Sequence, residues 1–129
     1  MDVHDIPMAD NSFNVVICNH VLEHVEDSHK VMTEFYRVMK PGGWGIFQVP
    51  IDVNNPKTEE DKSVTDPKER ERLYWQDDHL RLFGLDYGKK LEAAGFKVTE
   101  SNFINELDPK LVERYALPKD EIVYFCEKI

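Results

Sequence analysis

An α/β fold is predicted by three features of this 129-residue chain. Phe13–Cys18 is a short, β-branched, continuously apolar run, of the kind that suits a strand covered on both faces. From Ser28 to Met39 the apolar residues Val31, Met32, Phe35, Val38 and Met39 recur at helical spacing. Trp44–Pro50 is strand-like again, and a strand–helix–strand order at such short spacing is a right-handed βαβ unit.

Each element follows from local chemistry. Met1–Ser12 reads as a loop, because Ile6-Pro7 favours extended backbone and Asp10-Asn-Ser12 is turn chemistry. The helix after the first strand has Asp27 or Ser28 available as its cap. Lys40-Pro-Gly-Gly43 stops it, since proline cannot continue a helix and glycine accepts a tight turn. Asp52–Arg72 is polar, charged and interrupted by Pro56 and Pro67, and reads as a long loop with at most one helical turn. Loops of that length are often lids, so residues 52–78 are expected to form a lid within a single domain spanning 1–129. Leu73-Tyr-Trp75 and Leu80–Phe83 are apolar patches beside it. A second helix is predicted over Asp86–Ala94, closed by Gly95. Phe96–Ser101 and Ile122–Cys126 supply two further strands, and Pro109 can open a short helix reaching Tyr115 between them.

Composition narrows the function. With 41% hydrophobic and 32% charged residues the chain is an ordinary globular domain. A net charge of −9, with no basic stripe interleaved with aromatics, argues against nucleic acid as a partner. No apolar run approaches the roughly 20 residues needed to cross a bilayer, so no membrane partner is expected. The sequence around Met1-Asp-Val-His-Asp lacks the regions of a secretory signal. Cys18 and Cys126 sit in apolar strand-like runs, where a reduced thiol behaves as a small hydrophobe, and a cytoplasmic location is the expectation.

The stretch Asn19-His-Val-Leu-Glu-His24 carries two incompatible chemistries. His20-x-x-Glu23-His24 fits a zinc hydrolase in which two imidazoles one helical turn apart hold the metal and the carboxylate works as base. That reading needs one continuous helix and a third ligand. The residues just before it, Val15-Val-Ile17, are strand formers, and nothing in the spacing of Glu34 or His79 marks either as the third ligand. No metal is therefore expected, and the stretch is read instead as the bend after a buried strand. There His20 would emerge at the carboxyl end of the strand, where open α/β sheets bind ligands.

Asp2-Val-His-Asp-Ile-Pro-Met8, then Asp10–Val25, then Glu34-Phe-Tyr-Arg-Val-Met-Lys-Pro-Gly-Gly43 together resemble class I S-adenosylmethionine-dependent methyltransferases. The nearest subgroup is the small-molecule type related to ubiquinone and menaquinone biosynthesis enzymes. Met1–Pro50 resembles it closely, and Leu80–Val98, with Leu-Glu-Ala-Ala-Gly-Phe-Lys-Val, more loosely. The resemblance implies a partial Rossmann-like sheet comprising strands four to seven of the family fold, with helices on both faces and the last strand antiparallel. It implies S-adenosylmethionine as cofactor, S-adenosylhomocysteine as product and a small-molecule methyl acceptor. By position, Asp2 matches the acidic residue that accepts the adenine amino group, and Val3 the neighbour whose backbone N–H reaches the ring. Asn19 and His20 match the positions that approach the methionine portion and sulfur, with Val21 and Leu22 lining the same cleft. Arg37, Pro41, Gly42 and Gly43 match structural positions.

The family's glycine-rich loop and its ribose-holding acid would precede Asp2, and no Gly-x-Gly-x-x-Gly occurs in these residues. The chain is therefore expected to act within a larger or truncated methyltransferase, with a non-catalytic half-fold that oligomerises or binds a partner as the alternative. The strand at residues 13–18 would be left with an unpaired edge, which predicts a homo-oligomer formed through it. In a working site His24 or Glu23 could take the acceptor's proton. Tyr74, Trp75, His79 and Phe83 could cover the acceptor.

Overall fold

Four strands form one mixed sheet in the computed structural model, which describes residues 1–101, 109–114 and 121–129. In chain order the elements are β1 (Phe13–Ile17), α1 (Ser28–Val38), β2 (Met39–Ile46), α2 (Pro67–Tyr74), α3 (Tyr87–Ala93), β3 (Lys97–Ser101), α4 (Pro109–Arg114) and β4 (Val123–Glu127). The strand order is β1-β2-β4-β3. β1 and β2 are parallel, as the βαβ unit requires, and β4 runs antiparallel to both of its neighbours, as expected for the last strand.

α1 begins where Asp27 accepts the backbone N–H of Lys30 at 3.0 Å, and it buries Val31, Met32, Phe35 and Val38 against the sheet. It ends one residue early, because Met39 is already extended (φ −80°, ψ 138°). Lys40-Pro-Gly-Gly43, expected as a free turn before the strand, lies inside β2 as a bulge. The register with β1 jumps from Phe13↔Met39 to Val15↔Trp44. Pro41 has no N–H to give the ladder, and Gly42 takes a left-handed φ of 83°. The bulge bonds instead to the end of β4, with Gly42 N donating to the Lys128 carbonyl at 2.6 Å.

Of the two helical layers expected, the described residues supply one. α1 and α3 touch each other and share a core on a single face of the sheet. Phe47 stacks on Phe35 (4.8 Å) and lies 5.4 Å from Phe96, while Tyr87 meets Tyr124 edge-on at 5.0 Å. Such ring pairs add about 0.5–1.5 kcal/mol each beyond their buried area. The opposite face carries Trp44 stacked on Phe125 at 5.5 Å, both partly exposed. β1 is likewise not covered on both faces. It lies at the end of the strand order, and Phe13, Val15 and Ile17 are 37%, 41% and 60% exposed. An apolar run thus marked a strand correctly, and its outer edge is the surface on which the expectation of self-association rests.

Residues 52–78 are more ordered than a free loop. α2 lies where a long loop was expected, capped by Asp66 with Pro67 in its first turn and ended by Trp75 at φ 77°. Its sequence Pro-Lys-Glu-Arg-Glu-Arg-Leu-Tyr is polar all round, with only Tyr74 buried, so no apolar stripe announced it. The stretch is tied down by the Glu59↔Leu82 pairing and by Asp61 N donating to the Tyr74 hydroxyl at 2.9 Å. α3 closes at Gly95 (φ 120°) as expected. α4 begins at Pro109, and Tyr115, the expected end of that helix, lies outside the described residues. Both cysteines are free thiols, and among the described residues no helix is long and apolar enough to cross a membrane.

The loop before β1 is held by one charged knot. Arg37 donates to both Glu34 carboxylate oxygens (2.8 and 2.9 Å), to the carbonyls of Ile6 and Met8, and to Asp10. Glu34 also accepts the Ile6 N–H at 2.9 Å. The Arg37 hydrogen bonds hold the Glu34 carboxyl at about 2, against an ordinary 4.5. A depressed folded value means that the stabilisation is complete above about pH 4.5 and is lost as pH falls toward 2. Urea midpoints measured across that window should fall steeply for the wild type and less steeply for Glu34→Gln.

Candidate functional site

The parallel ladder runs past β1 before it breaks. Cys18 N donates to the Ile46 carbonyl (3.1 Å), His20 N to the Gln48 carbonyl (2.7 Å), and Gln48 N to Asn19 Oδ1 (3.1 Å). The chain then turns at His20, whose φ of 57° lies in the left-handed region. Residues 19–27 form a tight series of turns, with His24 N bonded to the Val21 carbonyl at 2.9 Å, and not a helix. This corrects the zinc-hydrolase reading through His20-x-x-Glu23-His24, which needs both imidazoles on one continuous helix.

The turn sorts its side chains sharply. Asn19 is exposed, the His20 ring is 66% exposed, Val21 is half-buried, and Leu22 is buried. Glu23 is only 2% exposed, with Oε1 lying 3.7 Å from His20 Nδ1 and 3.5 Å from His24 Nε2. The other ring nitrogen of His24 lies 3.3 Å from the Asp78 carbonyl. Both residues expected to take a proton from the acceptor are therefore turned toward protein groups, and Glu23 Oε2 is fully buried.

Asp2 is exposed and Val3 half-buried. Asp2 Oδ1 accepts the His4 backbone N–H and faces His4 Nδ1, each at 2.9 Å. Those bonds, the backbone one foremost, hold its carboxyl below the ordinary range, so it is an ionised acceptor near neutrality. His4 Nε2 accepts the Asp27 N–H at 3.1 Å, which places the ring proton on Nδ1, toward Asp2. The loop that bears Asp2 and Val3 is thus joined to the end of the turn that bears Asn19, His20, Val21 and Leu22.

Sequence reasoning missed the support beneath this turn. Arg81 is 1% exposed and donates to the carbonyls of Leu22 and Glu26 and to the Glu60 carboxylate. The available signal was a lone charge inside an apolar stretch, Leu80-Arg-Leu-Phe83. Of the four residues expected to cover an acceptor, Tyr74, His79 and Phe83 are core and only Trp75 is half exposed. A cavity of about 290 Å³ opens beside the turn, with Glu26, Glu60, Lys62, Arg70, Leu80 and Arg81 among its lining.

Comparison with known proteins agrees with this architecture. Residues 1–47 match a family described as a methyltransferase domain. The chain is 45% identical over 42 residues to the ubiquinone/menaquinone biosynthesis C-methyltransferase UbiE of Desulfotalea psychrophila, covering 33% of this chain and 17% of that protein. It is 29% identical over 118 residues to the arsenite methyltransferase of Aquipseudomonas alcaligenes, covering 82% of this chain and 32% of that one. The chain thus spans a third or less of the length of these curated relatives. The 1,6-didemethyltoxoflavin-N1-methyltransferase of Burkholderia thailandensis, solved with its substrate and S-adenosylhomocysteine bound, superposes with a TM-score of 0.63 at 14% identity, over 99% of this chain and 48% of that one. That likeness is one of fold.

S-adenosylmethionine is the cofactor of class I methyltransferases, and the chemistry of two of its ends can be set against Asp2 and the turn at His20. An ionised carboxylate with a neighbouring backbone N–H suits an adenine edge, and an open turn at a strand's carboxyl end suits a small cationic group.

Proposed function

We propose that this chain, which carries the sequence and fold of the class I S-adenosylmethionine-dependent methyltransferases, ubiquinone/menaquinone-biosynthesis-like subgroup included, contributes to methyl transfer onto a small-molecule acceptor. The observation that carries the reading is the left-handed break at His20. It ends a parallel strand and leaves an exposed imidazole beside the bond network leading back to Asp2. The matched family segment covers the residues from Asp2 through that turn.

In this reading Asp2 accepts the adenine amino group, the Val3 N–H meets the ring, and Asn19, His20, Val21 and Leu22 border the methionine and sulfur. The cofactor supplies an electrophilic methyl group. The acceptor is assigned to the 290 Å³ cavity that Glu26, at the end of the same turn, helps to line, a volume at the lower end of small-molecule pockets. Glu23 and His24 act from beneath the turn as positioning residues. The main gain in rate then comes from alignment and exclusion of water, for which effective molarities of about 10⁵ M and more are attainable.

Calorimetry of the chain with S-adenosylhomocysteine tests the reading. Micromolar binding is expected, and Asp2→Ala should weaken it about ten- to hundredfold, the worth of one charge-assisted hydrogen bond at about 1.5–3 kcal/mol. A second reading, a non-catalytic half-fold that oligomerises or binds a partner, is favoured by the exposed apolar residues Phe13, Val15 and Ile17 of the outermost strand. Absence of heat at millimolar ligand would select it.

A further inference from the structure

We propose that Glu23, His24 and His79 form a binding site for a divalent transition-metal ion, with zinc the expected occupant. The site is independent of the cofactor reading and differs from the helical His20/His24 pair that the sequence suggested. Each of the three residues offers one ligand atom, and those atoms lie within 4.8 Å of one another. Zinc bonds of about 2.0–2.2 Å require ligand atoms roughly 3.3 Å apart, so the cluster must close by about an ångström or more. His24 can supply that movement, because a third of its side chain is exposed (33%) and its polar contacts are all long, 3.3 Å to the Asp78 carbonyl and 3.5 Å to the Asp78 and Glu23 carboxylates.

Two further observations point to a cation. Glu23 is 2% exposed, and its Oε2 has no hydrogen-bond partner. A buried carboxylate with an unsatisfied oxygen is costly, and a dication placed against it removes that cost. Both imidazoles are also set for ligation. His79 Nδ1 lies 2.9 Å from the Tyr74 carbonyl and His24 Nδ1 lies 3.3 Å from the Asp78 carbonyl. A carbonyl only accepts, so the neutral His79 ring carries its proton on Nδ1 and keeps its Nε2 lone pair free, whereas both nitrogens of His24 face acceptors and a cation at its Nε2 would select the same tautomer. For His24 that nitrogen already faces Glu23 Oε1 at 3.5 Å. An outer N–H···O=C bond of this kind fixes tautomer and ring direction in metal-binding histidines.

Two imidazoles and one carboxylate suit zinc or ferrous iron better than magnesium or calcium, which prefer oxygen ligands throughout. The exposed side of His24 leaves room for a water as the fourth ligand. The ion would clip two distant parts of the chain, the turn after β1 and the segment leaving α2. These already meet through Leu80 N donating to the Glu23 carbonyl at 2.8 Å.

The test uses the full chain stripped of metal by chelation and then titrated with zinc chloride and, separately, cobalt(II). One equivalent of zinc, a raised melting temperature and the visible bands of four- or five-coordinate cobalt are expected. Outer-shell changes at metal sites cost about 10–100-fold in affinity, and His79→Gln or Glu23→Gln, which remove a direct ligand, should cost at least as much. His29→Gln, on the exposed surface of α1, should change nothing. Substoichiometric zinc, octahedral cobalt, or unchanged affinity in His79→Gln overturns the site. Should the buried substitutions unfold the chain, His24→Gln and the wild-type cobalt spectrum decide between the same outcomes.

Discussion

Replacing Arg81 by methionine is expected to lower the unfolding free energy by about 3 kcal/mol or more, read as a fall in the urea midpoint by circular dichroism. The guanidinium is 1% exposed and spends its donors on the Leu22 and Glu26 carbonyls and on Glu60. Glu60, about a third exposed (32%), regains water when the cation goes. The two carbonyls beneath the turn do so less readily, and each buried acceptor left without a donor costs about 1–3 kcal/mol. Lysine should not restore the loss, because its single ammonium cannot span three acceptors in a planar fork. A change below about 1 kcal/mol would show that water satisfies those carbonyls and that Arg81 does not shape the turn. Because the same carbonyls belong to the segment that bears His20, the substitution should also weaken S-adenosylhomocysteine binding, acting through the backbone of Leu22.

Gly84→Ala is expected to be comparably damaging for a steric reason. A Cβ there would sit 2.6 Å from the Asn55 carbonyl oxygen and from both carbonyl atoms of Lys57. All three are backbone, so no side chain can swing away. The approach is fixed by neighbouring bonds, Leu85 N to the Asn55 carbonyl at 2.9 Å and Gly84 N to Thr58 Oγ1 at 3.3 Å. Overpacking of this kind costs about 1–3 kcal/mol and can cost more where nothing yields. Gly42→Ala is the control. Its Cβ would meet nothing within 4 Å, but its φ of 83° is left-handed, so it should lose only about 1–2 kcal/mol. Equal losses at the two positions would mean that the segment before α2 moves aside.

Much of the fold was legible because it depends on local apolar pattern. β1, α1, α3 and β4 fall within a residue or so of their expected bounds, since each carries either an apolar run or a stripe ended by glycine or an extended residue, and the more polar β3 falls equally close after the break at Gly95. Periodicity shows that a helix has a buried side but not which face of the sheet it covers, so the placement of α1 and α3 on one face could not be read. α2 escaped notice because a helix with a single buried residue has no stripe. The bulge at Lys40–Gly43 was seen as turn chemistry, but its bonds run to Lys128, far away in sequence.

The candidate site divides along the same line. The bend after β1 was visible as strand formers followed by Asn19-His20, and that reading defeated a helical metal pair. Arg81 could not be assigned, and His79 was legible only as a possible cover for the acceptor, because each acts through carbonyls and side chains distant in the chain. The burial of Glu23 was hidden for the same reason. Nothing in Leu-Glu-His says that the carboxylate points inward until Arg81, Leu80 and His79 are folded around it.

The left-handed backbone at His20 bears on how this protein could be engineered. A residue with a Cβ at φ 57° is held there at a cost on the order of 1–2 kcal/mol relative to glycine. Libraries ranked by heat resistance would therefore enrich glycine or asparagine at position 20, and in doing so would erase the more exposed of the turn's two imidazoles.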